Sequence, residues 1–476
     1  MCYPETNSFQ DFFNEVRFIK RKIIVSVAAV AVAAFLGGYS YFRLTHFNQQ
    51  VSINGLNVGG LTAKQALSKL KNYQVTQTIY LKGEVLEHHQ RSSSGFSNQD
   101  LAKIKSLVKK QWTFLPSAKK KQFLVEPKTT GDKQTKSVQA ELKSKLQQLN
   151  RKRTAPVDAQ AVFSYGKVTI TAPKAGNQYN VDRLLKQYEK QQYLPKVKLT
   201  VKYLQPLKAS SSQVQTEKQK LLALKDRTVS YQVQETKYNL ATKDLLKKAT
   251  YQDGKYYFQE TDLANKISEI NQKQATLGKQ INFKTNSGNT VQVSGGTYGW
   301  ALDTSSATKH LENAWLENKS TLEAKPDIYG KGYLTYGLGY NNLTNDGIGS
   351  TYAEVSISAQ RVWLYKNGQQ VATSNIVTGK HSTGEDTPKG VWYIMYKQSP
   401  SVLSGSEAGN SNYSVKVKYW AQFTNSGCGF HDASWRTNWS STAYLNDGSG
   451  GCANTPSDKM ENIYNNLSQG EPVIVY

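Results

Sequence analysis

The sequence predicts a multidomain protein with a single N-terminal transmembrane helix, two α+β domains and a C-terminal all-β domain of sandwich or barrel type. Three observations carry this. The chain has 476 residues, more than one ordinary domain holds. Ile23 to Phe42 is a 20-residue run without a charged side chain. Beyond about Gly330 lysine thins out while glycine, serine, tyrosine and tryptophan rise, as in short strands joined by many turns. The expected divisions are a tail at 1–22, a membrane helix at 23–42, α+β domains at 43–215 and 216–340, and the all-β domain at 341–476.

The apolar run decides the compartment. Twenty helical residues span about 30 Å, the thickness of a bilayer's hydrocarbon. Arg17, Lys20, Arg21 and Lys22 precede it and only Arg43 follows closely, so the positive-inside tendency puts the N-terminus in the cytoplasm and the remaining chain outside. A cleaved signal peptide is the competing reading, but the run is longer than a usual signal core and continues into aromatics instead of a cleavage site. Cys2 then faces the cytoplasm, as a candidate for acylation.

Composition narrows the chemistry. A 38% share of hydrophobic residues suits globular domains, and three cysteines without a CxxC pair or an HExxH helix exclude a disulfide scaffold and the common zinc sites. No metal or organic cofactor is indicated. The net formal charge of +25 predicts attraction to polyanions. Outside the cell these are anionic wall polymers or lipid; no nucleic-acid-binding signature is present.

After the anchor, VSINGLNVGG reads as a strand and turn, and Thr62 with Gln65 three residues on forms a capping box opening a helix. Leu67 and Leu70, and later Val138, Leu142, Leu146 and Leu149, recur at helical spacing. A repeat follows. Val157 to Thr171 reads as a hairpin turning at Tyr165-Gly166, followed by a helix capped by Asp182. Ile281 to Val293 reads as a hairpin turning at Ser287-Gly288, followed by a helix capped by Asp303. The Lys/Gln/Ser-rich stretch from Pro206 to Lys220 is the expected boundary between the copies. In the last domain Ala353–Ile357, Arg361–Tyr365, Val371–Thr378 and Val391–Tyr396 read as strands, with Asn367-Gly368 as a hairpin turn.

The segment Ser426 to Pro456 concentrates His431, Cys428 and a glycine-flanked Cys452. A nucleophilic thiol needs a base, and a turn of small residues whose N–H groups can meet an oxyanion. Cys452, His431 and Gly450-Gly451 can supply these. A buried cysteine that serves only packing is the competing reading, and packing is the expected role of Cys428.

This segment resembles the L,D-transpeptidase (YkuD) family, whose motif is a His, 14 to 17 residues, then Ser/Thr-His-Gly-Cys and, one residue later, Asn or Arg. Here His431 is followed by 17 residues, then Ser449-Gly450-Gly451-Cys452-Ala453-Asn454, so five of six motif positions agree. AQRVWLYKNGQQV, IVTGK and TPKGVW are similar to the family's opening strands, and the repeats look like the tandem wall-associated domains of Gram-positive members. The resemblance implies a peptidoglycan transpeptidase acting on stem peptides, with Cys452 as nucleophile and His431 as proton carrier. It also implies oxyanion or substrate contacts at the motif positions Ser449, Gly450, Gly451 and Asn454; Asp432, Trp420 and Arg436, which neighbour the motif, are further candidates for the substrate groove, with core packing the equal alternative for the aromatic.

The family's second His is Gly450 here. His381 is one expected spatial replacement, and Asp432 is expected to orient the His431–Cys452 pair. A Cys428–Cys452 disulfide would silence the site. Rival readings are an L,D-carboxypeptidase, in which water replaces the acceptor amine, and a non-catalytic wall-binding homologue. Ser306, Ser106 and Ser117 each begin an SxxK of the D,D-transpeptidase kind, but no SDN or KTG accompanies them.

Overall fold

The computed structural model describes residues 8–91, 94–113, 115–129 and 132–476; Cys2 lies outside the described residues. The chain divides into two compact units, Met1–Ala159 with Ala172–Lys208, and Gln160–Thr171 with Ala209–Tyr476.

The first unit opens with a helix over Ser8–Thr45, longer than the apolar run because no proline interrupts its flanks. Its Phe12–Thr45 portion is long and apolar enough to cross a membrane. At its end the Arg43 guanidinium is buried and donates to the Thr113 carbonyl at 3.0 Å. Beyond it, helix Ala63–Lys71 starts at the expected capping box, in which Gln65 N–H donates to Thr62 Oγ1 and Thr62 N–H to Gln65 Oε1. Ala66, Leu67 and Leu70 pack with Val51, Ile53 and Ile104.

A second core in this unit lies under a three-stranded sheet ordered Glu84–Arg91, Val75–Leu81, Lys196–Leu199, with the outer pairings antiparallel and parallel. Leu142 and Leu146 of helix Asp132–Arg151 meet Leu184 and Tyr188 of helix Val181–Glu189 there. The expected cap is corrected: Asn180, not Asp182, accepts from the Arg183 N–H at 3.0 Å, and Asp182 sits inside the first turn.

The second unit repeats that sheet. Thr236–Ala241, Thr228–Val233 and Thr321–Glu323 pair in the same order and senses, and the helix before the last strand, Thr304–Glu317, is capped by Asp303 as expected. The helices of the sequence repeat thus correspond, but the hairpins that repeat are Val75–Leu81/Glu84–Arg91 and Thr228–Val233/Thr236–Ala241; Ile281–Lys284 and Thr290–Val293 form a two-stranded sheet of their own. The hairpin Gln160–Thr171 leaves its sequence neighbours and pairs through Gln160–Ser164 with Leu246–Gln252, giving a four-stranded sheet with Lys255–Thr261. The division between the units falls at Lys208/Ala209, within the polar stretch expected as a boundary, and the rest of that stretch opens the helix Ser212–Lys225, which buries Val214, Leu221 and Leu224 under that sheet. Two of the SxxK serines are structural: Ser306 Oγ donates to Asp327 and Ser106 Oγ to the Lys103 carbonyl.

The C-terminal part is two sheets around one core. Five strands run in the order Gln369–Asn375, Arg361–Lys366, Tyr352–Ser356, Pro472–Val475, Gly390–Tyr393, and four in the order Tyr396–Gln398, Trp420–Gln422, Gly429–Asp432, Ala453–Thr455. Val355, Leu364 and Val473 of the first sheet pack with Ala421, Phe430 and Ala453 of the second, and helix Ser457–Asn465 adds Met460 and Ile463. Asn367 and Gly368 both have positive φ, as a two-residue type I′ turn requires. The separate hairpin Ser401–Glu407/Asn410–Val417 carries mostly exposed side chains.

Candidate active site

Strand pairing assembles the site. Gly429–Asp432 lies between Trp420–Gln422, antiparallel, and Ala453–Thr455, parallel, in a register that sets Phe430 opposite Ala453 and His431 opposite Asn454. Alternation sends Phe430 and Ala453 into the core. His431 and Asn454 line a cleft of about 350 Å³ together with Cys452, the residue just before its strand.

The loop before the strand is fixed by its own hydrogen bonds. Ser449 Oγ donates to the Cys452 carbonyl at 2.6 Å and accepts from the Gly451 N–H at 3.2 Å. Buried Thr387 donates to the Gly451 carbonyl at 2.8 Å and accepts from the Gly379 N–H. Gly451 has φ +117°, and a Cβ there would lie 2.9 Å from Cys428 Sγ, so only glycine fits.

His431 is only 3% exposed. Its Nδ1 donates to the Asp432 carbonyl at 3.0 Å, which leaves Nε2 as the basic nitrogen. With the Asn454 amide oxygen turned toward Arg436, accepting from Nε at 3.1 Å, its nitrogen donates to His431 Nε2 at 2.9 Å. Burial holds the imidazole below its ordinary pKa; the Asp432 carbonyl and carboxylate oppose this, and Arg436 adds to it. Burial also pushes the Cys452 thiol up to about 12, helped by Cys428 and Glu407 and opposed by a hydrogen bond from the Gly429 backbone. Burial thus works against both charged forms, thiolate and imidazolium. Among the described residues no hydrogen bond joins Sγ to His431, whereas Sγ lies 3.8 Å from the Gly427 carbonyl. Cys428 and Cys452 are both free thiols, without the disulfide considered from sequence.

Family comparisons sharpen this picture. The family model of the YkuD L,D-transpeptidase catalytic domain matches residues 350–475, and that of a peptidoglycan binding domain matches 223–323. A crystal structure of a Cys-to-Ser mutant of Enterococcus faecium L,D-transpeptidase is 27% identical, covering 54% of this chain and 98% of that one, with a TM-score of 0.44. The NMR structure of the catalytic domain from the E. faecium enzyme is 34% identical, covering 26% of this chain and 96% of that one, TM-score 0.25. The same domain acylated by ertapenem gives 34%, 27%, 97% and 0.25. No curated protein matches. The C-terminal part of the chain carries the catalytic domain of the L,D-transpeptidase (YkuD) family. The chain joins this catalytic domain to a peptidoglycan-binding one, which supports a peptidoglycan transpeptidase.

Within this L,D-transpeptidase, seven of the nine sequence-expected residues, namely Cys452, His431, Ser449, Gly450, Asn454, Arg436 and neighbouring Gly451, meet at or beside the cleft. Two do not. Trp420 is buried behind His431, with its Nε1 donating to Tyr396 Oη, and acts as core. The Asp432 carboxylate accepts from the Lys418 and Tyr419 N–H groups at 2.8 and 2.9 Å, so its carbonyl, not its carboxylate, orients the imidazole. His381 is no spatial substitute for the missing imidazole: it pairs with Asp386 at 3.0 Å outside the cleft lining. Sequence reasoning missed Glu407 and Tyr413, which line the cleft from the separate hairpin.

Proposed function

We propose that the protein is a peptidoglycan L,D-transpeptidase forming 3→3 crosslinks through a Cys452 thioester. The supporting observation is the parallel register that brings Cys452, His431 and Asn454 onto one cleft. In the first step the Sγ proton passes to His431 Nε2 as sulfur attacks the carbonyl of the third stem residue. For this the Asn454 amide must yield Nε2, a tightening that bound substrate commonly brings. The oxyanion is met by the Cys452 N–H, since the Gly451 N–H is held by Ser449 Oγ. His431 returns the proton to the departing D-Ala amine, leaving the thioester. A side-chain amine of a second stem then attacks the thioester carbonyl and gives a proton to His431. The carbon–sulfur bond breaks and the thiolate recovers that proton.

On this reading the Ser8–Thr45 helix holds the enzyme in the cell membrane with Arg17, Lys20, Arg21 and Lys22 inside and the catalytic domain in the wall. The basic surface favours anionic wall polymers.

The test is to incubate full-length protein in detergent with disaccharide-tetrapeptide and weigh the products. Crosslinked dimer supports the proposal. Tripeptide alone replaces it with a carboxypeptidase, and unchanged substrate with a non-catalytic wall-binding protein, a reading that the neutral thiol favours. Dimer formed by Cys452→Ala would refute the assignment of the nucleophile.

A further inference from the structure

The position that holds the second histidine of the family motif is Gly450, and the space beside it is filled. A Cβ built on Gly450 would lie 3.0 Å from Glu407 Cβ, 3.3 Å from Glu407 Oε2 and 3.9 Å from Glu385 Oε1. Where the motif has an imidazole, this chain brings in carboxylates from two other segments.

Glu385 is spoken for. Its carboxylate accepts from the Ala408 N–H and from Thr383 Oγ1, each at 2.5 Å. Those bonds tie the tip of the hairpin Ser401–Glu407/Asn410–Val417 to the loop beside the motif and so fix Glu407 over the cleft. Glu407 itself is half-buried; its carboxylate makes no close hydrogen bond or ion pair among the described residues, and its field reaches Arg436 and Tyr413 across the cleft. Arg436, the cation lining the same cleft, is engaged with Asp447 at 3.1 Å and with Asn454.

An anion at this place does not replace the imidazole as an activator of sulfur. Its field raises the Cys452 thiol pKa, which opposes formation of the nucleophile. It serves a reactant of opposite sign. Resting on the function proposed above, the second step has such a reactant: the acceptor is a primary amine, protonated in neutral water with a pKa near ~10.4. The sequence from residue 351 onward carries nine Lys and Arg against nine Asp and Glu, so the net positive charge lies upstream and a carboxylate facing the cleft sets the local sign there.

We propose that Glu407 is the docking carboxylate for the acceptor ammonium, holding the incoming stem's amine beside the thioester and biasing the acyl-enzyme toward crosslinking over hydrolysis. The docked ammonium passes one proton to Glu407, the neutral amine attacks the thioester carbonyl, its second proton goes through His431 to the departing thiolate, and Glu407 releases its proton to water. Glu407 is a specificity residue of the second step.

The test uses full-length protein in detergent, ertapenem as a probe of acylation read by intact mass, and disaccharide-tetrapeptide at varied concentration as donor and acceptor. For Glu407→Gln the two steps are expected to move in opposite directions. Acylation by ertapenem rises, because a charge opposing the thiolate is gone. The acceptor KM rises about tenfold, the loss of one charge-assisted contact, and products shift from dimer to tripeptide. Glu407→Asp recovers part of the dimer yield. A structural role would lower both steps together, and that result overturns the inference. An unchanged acceptor KM, or a wild-type protein that acylates and yields only tripeptide, overturns it while leaving the Cys452 acyl-enzyme standing. A wild-type protein that forms no adduct and no product overturns the proposed function and this inference with it.

Discussion

The amide nitrogen of Asn454 donates to Nε2 of His431 at 2.9 Å, directly across the parallel strand pair. The one imidazole of the motif therefore rests against a neutral donor, which suits its unprotonated form.

That contact predicts the pH response of Asn454→Asp. His431 can take the thiol proton only when Nε2 is unprotonated, and burial keeps its pKa low, so wild-type acylation should already be active below the ordinary histidine range. A carboxylate at 454 favours imidazolium and raises that pKa. The ascending limb of the acylation–pH profile should move up by about one unit. A limb that stays in place would separate Asn454 from the titrating group.

Cys452 should be a sluggish thiol at rest. With its pKa pushed up to about 12, the thiolate fraction at pH 8 falls at least roughly a hundredfold below that of an ordinary cysteine. Iodoacetamide labelling of the Cys452 peptide, followed by mass, should be slow at pH 8 and still climbing at pH 10. Rapid labelling that levels off near neutrality would show a preformed ion pair.

Asp432 separates two ways of holding a histidine. In a carboxylate-oriented triad, Asp→Asn costs about 10⁴ in rate. Here the carboxylate accepts two backbone N–H groups, and an asparagine oxygen can do the same. Asp432→Asn should lower acylation less than about tenfold. Asp432→Ala, which strands both N–H groups, should cost about 2 kcal/mol or more in denaturant unfolding.

Gly450 and Glu407 should behave as a coupled pair. Gly450→His forces a side chain against Glu407 Cβ at 3.0 Å, an overpacking that costs about 1–3 kcal/mol. Adding Glu407→Ala should return most of that stability, a non-additivity measurable by thermal unfolding of the two single variants and the double. Additive losses would show that the two residues do not compete for one space.

Much of this was legible where the determinants are local. The Thr62–Gln65 capping box, the Asn367-Gly368 turn and the spacing from His431 to Cys452 are each set by residues close together in sequence. By residue type Asp182 caps a helix as well as Asn180, two positions before it, so local sequence does not choose between them. Helix Ser212–Lys225 was hidden by its lysines and glutamines, although Val214, Leu221 and Leu224 lie at helical spacing. Glu407 had no motif to announce it, since a hairpin outside both main sheets delivers it to the cleft. The available signal was the absence of the second histidine, which leaves room beside Gly450 for another group.

The hairpin Gln160–Thr171 completes its four-stranded sheet from a distant part of the chain, with residues 172–208 intervening. Cutting the protein back to residue 209 to isolate its enzymatic portion would strip Leu246–Gln252 of one neighbour and bare a row of amides and carbonyls. Such a seam templates strand addition between molecules. Trimmed preparations should clump on concentration, and grafting residues 160–171 ahead of position 209 should keep them dispersed.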